Sequence, residues 1–210
     1  MTILSARNLQ MRPLEPDTAR AVLRQINRQF EPRPLPRATT TLTWAPLPFY
    51  ADMLLYACRD SATIPAITKY VLRRRHQVFV LDYTAAPILA ANAAAPLQLD
   101  IKTVADYARF FTSFVWHKNQ PQFLVERVED IPAAADLSDE KKMILGQVLR
   151  PLRVHASADF ENAFEIDACF ISGRELVSRR LLILEDGQMR CSPDQRLMED
   201  ASLMMETGMR

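Results

Sequence analysis

Apolar positions recur at two spacings along the chain. From Asp17 to Glu31, residues Ala19, Val22, Leu23, Ile26 and Phe30 fall at steps of three and four, with Arg20, Arg24, Asn27 and Arg28 between them. That spacing predicts an amphipathic helix, ended by Pro32. A wider helical stripe follows over 100–117, where Ile101, Val104, Ala108, Phe111 and Val115 are joined by Tyr107, Phe110 and Phe114. Shorter helices are predicted over Thr63–Arg74 and in the alanine run between Pro87 and Pro96. Another is predicted after Ser138, a capping residue followed by Asp139 and Glu140. Leu197, Ala201, Met204 and Met205 predict an amphipathic helix over 196–210.

Strand-like stretches show the other spacing. Val78–Leu81 is continuously apolar, as expected of a central strand, whereas Thr39–Trp44 reads as an edge strand between prolines. Phe123–Val128 and Leu152–Ala156 follow. Ala163–Ile171 alternates, and Glu175–Glu185 leads into Asp186-Gly187, a two-residue hairpin signal, before Gln188–Cys191. Helices come mostly first and hairpins last, with no regular βαβ repeat. The fold class expected is α+β: a curved antiparallel sheet with a C-terminal meander, covered by helices on one side, the 100–117 helix acting as lid. One domain over 1–210 is expected, with a Pro-rich connection at 31–48.

Composition narrows the function classes. Of 210 residues, 49% are apolar and 24% charged, which supports a folded core. Lys and Arg total 26 against 25 Asp and Glu, a balance that speaks against a dedicated nucleic-acid binder. The dense run Arg73, Arg74, Arg75, His76 stands where a helix is expected to end and suits its dipole. No charged-then-apolar leader opens the sequence, and no window approaches the roughly 20 apolar residues that span a bilayer. A cytoplasmic protein without membrane contact is therefore expected. Cys58, Cys169 and Cys191 are too few and too scattered for a disulfide framework or a zinc site. The only glycines are Gly146, Gly173, Gly187 and Gly208, so phosphate-binding glycine loops are absent. No cofactor and no metal are expected.

The polar candidates are Asp82, Arg109 and His117. Asp82 ends a strand, Arg109 lies three residues from Asp106 and is placed to pair with it, and His117 follows Trp116 at a helix end. Arg179 and Arg180 are adjacent on one strand, so alternation sends one of them toward the covered face. Glu165 or Asp167 is then the expected partner, with a ligand carboxylate or phosphate as the functional alternative.

The segments Ile88–Asn92, Leu97-Gln98-Leu99, Thr103–Phe111 and Phe123–Glu126 resemble a pattern in uncharacterised bacterial proteins, a resemblance that implies no activity and no site residues. The leading functional expectation is a structural or protein-interaction protein. It would associate with itself or another protein through the methionine-rich 196–210 helix. The alternative is an enzyme or small-molecule binder using a cavity between the sheet and the 100–117 helix.

Overall fold

The computed structural model describes residues 9–132 and 134–200. The chain divides into two compact units, Met1–Gln98 and Leu99–Arg210.

The first unit begins with a two-residue strand, β1 (Arg12–Pro13), and a helix, α1 (Pro16–Asn27). Pro16 at the first helical position and Asp17 in the first turn both favour a helix start there. Val22, Leu23 and Ile26 are the buried residues of α1, as the spacing predicts. They pack on a sheet face formed by Leu42, Tyr56, Cys58 and Val71. These come from β2 (Thr40–Pro46), β3 (Leu54–Asp60) and β4 (Ile67–Arg74), and β5 (Gln77–Val80) completes a five-stranded antiparallel sheet in chain order. A short helix, α2 (Ala86–Ala94), follows, where the alanine run predicts one.

Two expectations fail in this unit. Thr63–Arg74 is not a helix: β4 pairs Tyr56 with Val71 and Leu55 with Leu72. Tyr70, Val71 and Leu72 are consecutively buried, because the strand is covered on both faces. That erases the alternation by which a half-covered strand is recognised and leaves β-branched and aromatic preference as the better signal. Val78–Val80 is a strand, but it lies at the sheet edge and is only half-buried. Arg73–His76 consequently belongs to the β4–β5 hairpin. Arg73 donates to Gln25, and Arg74 pairs with Asp52 at 2.7 Å.

The second unit opens with α3 (Val104–Phe114), whose Tyr107, Phe110, Phe111 and Phe114 are all buried. β6 (Phe123–Val125) and α4 (Asp139–Val148) follow, and Ser138 caps α4 by accepting from the Lys141 amide. Next come β7 (Arg153–Ala156), β8 (Phe164–Ser172), β9 (Glu175–Ile183), β10 (Met189–Cys191) and β11 (Gln195–Glu199). β8 and β9 pair along their whole length. β6 and β7 share the outer edge of β8, and β10 and β11 share that of β9. The Asp186-Gly187 turn joins β9 to β10 as expected, with Gly187 at φ 80°.

The single curved sheet of the sequence reading is therefore corrected to two open antiparallel sheets, neither closed nor strongly curled. One-sided covering fails as well. At the β6 end of the second sheet, Cys169, Ile171 and Leu176 pack with Leu145 and Leu149 on or next to α4. Phe170 and Val177, on the opposite face, are equally buried. The start of the expected terminal helix is a strand, since β11 pairs Gln195 with Ser178 and Glu199 with Glu175. The rest of that helix, 201–210, lies outside the described residues.

Candidate functional site

The β8–β9 register sets Ala168 opposite Arg179 and Asp167 opposite Arg180. Alternation therefore sends the two arginines to opposite faces. Arg180 is half-exposed and pairs with Asp167 at 2.9 Å and Glu165 at 3.4 Å, so the carboxylates expected to hold the covered arginine hold the outward-facing one instead. Arg179 shares its face with Val177, Leu181 and Ile183, and its side chain is 0% exposed.

The surroundings of that guanidinium come from three separate segments. Asp194, between β10 and β11, accepts from Nε at 2.6 Å. Gln122, just before β6, accepts from Nη1 at 2.6 Å. The Phe170 ring of β8 lies 4.7 Å from Cζ, within cation–π range. Nη2 is buried and has no hydrogen-bond partner among the described residues. Five donors on a buried arginine are difficult to satisfy, and one left unmatched costs about 1–3 kcal/mol.

The turn after α3 brings two more groups. His117 and Gln120 exchange backbone hydrogen bonds at 3.1 and 2.9 Å, while Lys118 and Asn119 occupy left-handed conformations at φ 51° and 59°. This tight turn places Lys118 Nζ 3.7 Å from Asp194 Oδ2. Desolvation, aided by the Arg179 charge, holds the His117 imidazole below its ordinary value and favours the neutral ring. The hydrogen bond from Arg179 holds the Asp194 carboxyl below the usual carboxylate range. Cys191, opposite Leu181 on β10, is exposed as a residue. Crowding around its sulfur nevertheless pushes the thiol up, with the Arg179 charge pulling the other way. With Arg179 and Lys118 positive, Asp194 negative and His117 neutral, the group carries one net positive charge.

The three residues singled out in the sequence do not form one cluster. Asp82, in the first unit, is exposed and accepts from the Thr84 amide at 3.0 Å and hydroxyl at 2.7 Å, a local turn. Arg109 forks onto both oxygens of Glu126 at 2.7 and 3.1 Å and holds Asp106 at 2.9 Å, tying α3 to the segment after β6. Burial pushes the Glu126 carboxyl up, but Arg109 and the Leu152 amide outweigh it, so the carboxyl stays below its usual range. His117 alone stands beside the buried arginine. Asp194, Gln122 and Cys191 escape sequence reasoning. The available signal was Pro193, which lies beside Asp194 in the break between β10 and β11.

The aromatic residues of α3 are buried. Tyr107 donates to the Gly187 carbonyl at 2.7 Å, and its ring centroid lies 5.9 Å from that of Phe111. Among the described residues, no group of three or more His, Cys, Asp or Glu is placed to hold a metal ion. No helix among them is long and apolar enough to cross a membrane. No protein-family model, curated protein or solved structure matches this chain.

Proposed function

We propose that the second unit binds a small carboxylate-bearing molecule at the Arg179 cluster. The observation carrying this reading is the buried Arg179 Nη2, which lacks an acceptor while the other faces of the guanidinium are held by Asp194, Gln122 and Phe170. A planar carboxylate matches the geometry of a guanidinium edge. Charge favours a monoanion. One negative charge neutralises the cluster, whereas a phosphate dianion would leave an uncompensated charge in a desolvated place. His117 and Lys118, on the neighbouring turn, offer further donors beside the cluster.

The test is a titration with acetate, a longer monocarboxylate and a dicarboxylate, with inorganic phosphate as comparison, followed through the His117 ring resonances. Saturable shifts with a carboxylate, a rise in the His117 pKa on binding, and loss of both in Arg179→Met support the reading. Unmoved resonances at about 100-fold above a millimolar dissociation constant, or equal shifts in Arg179→Met, overturn it.

A second reading, a protein-interaction chain, draws on a different observation. Met143 and Ile144 on α4 are exposed beside a cavity of about 250 Å³ lined by Ile144, Leu145 and Met198. If a second copy covers this surface, light scattering shows a dimer that Ile144→Asp converts to monomer. A monomeric parent chain excludes that version.

A further inference from the structure

The near balance of charge hides two opposite halves. Residues 1–98 hold twelve Arg and Lys against six Asp and Glu, and the remainder hold fourteen against nineteen. The positive excess of the first unit has a focus. A cleft of about 540 Å³ lies between the end of α1 and the loop that follows it, lined by Arg24, Arg28, Arg37, Glu31, Pro34 and Leu35 among others. We infer that this cleft is a binding site for a small ligand carrying two or more linked phosphates, distinct from the carboxylate site proposed in the second unit.

The cleft has a fixed shape. Asn27 donates to the Leu35 carbonyl and accepts from the Leu35 amide, both at 2.9 Å, which clamps the proline-containing loop against the helix. The Arg33 amide donates to the Phe30 carbonyl at 2.7 Å and closes the turn between them. Three other arginines of this unit are engaged, Arg20 with Asp17, Arg73 with Gln25 and Arg74 with Asp52, whereas Arg33, Arg59 and Arg75 form no ion pair among the described residues. Arg24, Arg28 and Arg37 make no ion pair among the described residues, although Glu31 shares the cleft.

Arg24 and Arg28 are one helical turn apart, a like-charge spacing that is unfavourable unless an anion lies between them. The carboxyl end of α1 attracts positive charge and accounts for one of the two. It does not account for Arg37, which reaches the same cleft from the loop. Three guanidinium groups around one opening can each fork onto a phosphate, and together they span more than one phosphate group. The volume suits a small ligand. Leu35 and the prolines give an apolar wall on which the uncharged part of such a molecule can rest.

The experiment is calorimetric titration of the full chain with pyrophosphate and tripolyphosphate, at about 50 and 200 mM salt to read screening. Expected are saturable binding that tightens from pyrophosphate to tripolyphosphate, weakens with salt, and falls at least about tenfold in Arg28→Gln and in Arg37→Gln. Both residues are exposed, so unchanged thermal unfolding certifies the fold of these variants. Arg20→Gln, on the same helix but outside the cleft, should bind like the parent. An absence of heat, or an equal loss in Arg20→Gln, overturns the assignment. So does a single-stranded oligonucleotide that binds far more tightly than tripolyphosphate, because the partner is then a nucleic-acid backbone.

Discussion

Removing the carboxylate beside Arg179 should destabilise the second unit more than removing the arginine itself. In Asp194→Ala, the guanidinium remains with its side chain 0% exposed and loses its 2.6 Å partner. Breaking a buried pair from one side costs about 3–5 kcal/mol when both groups are buried. Asp194 is 27% exposed, so water can reach part of the vacated place, and about 2–3 kcal/mol is the expected loss. Arg179→Met removes the charge and keeps most of the volume. Asp194 then retains solvent and Lys118, and the loss should be about 1 kcal/mol or less. The double variant should lie close to Arg179→Met. Urea unfolding followed by fluorescence separates the units, because one tryptophan, Trp44, lies in the first and the other, Trp116, in the second. Each variant should move the Trp116 transition in the stated order. Equal losses, or a greater loss for Arg179→Met, would refute the picture of a buried arginine held by a single carboxylate.

Three further outcomes are expected. Stability of the second unit should fall in two steps as pH drops. The folded state disfavours protonated His117, so its contribution is complete above the unfolded value of about 6.5 and declines below it. Asp194, whose folded value is depressed, contributes above about 3.9 and loses that contribution as pH falls through its lower folded value. His117→Gln should abolish the first step, and an unchanged profile in that variant would contradict the assignment. Tyr107→Phe should cost about 1–2 kcal/mol in urea unfolding by leaving the Gly187 carbonyl without its donor, and a neutral result would show that the bond contributes nothing. A thiol reagent should label Cys191 before the other two in the folded chain, because it is the exposed cysteine even though its own thiol is raised. Cys58 is fully buried with its thiol pushed up to about 12, and Cys169 is buried with its thiol also raised. Rapid labelling of three thiols would indicate an opened core.

What the sequence determined by itself is local. The spacing of Val22, Leu23 and Ile26 specified a one-sided helix. Ser138 with Asp139 and Glu140 specified a helix start, and Asp186-Gly187 specified a hairpin. Each rests on interactions within a few residues, which pattern and backbone preference report directly. The alternation of Arg179 and Arg180 also showed that one arginine had to face the covered side. Only the tertiary structure decided the rest. β4 was misread because burial on both faces removed its alternation. The start of the last segment was misread because Leu197 carries helical spacing, while the open edge of β9 recruits it as a strand. The partner of Arg179 was illegible for the same kind of reason. Asp194, Gln122 and His117 are 15, 57 and 62 residues from it in sequence, and only the closing of β9 against β8 on one side and β10–β11 on the other brings them to one guanidinium. Long-range pairing across a sheet is set by which faces must leave water together, and no local spacing encodes that choice.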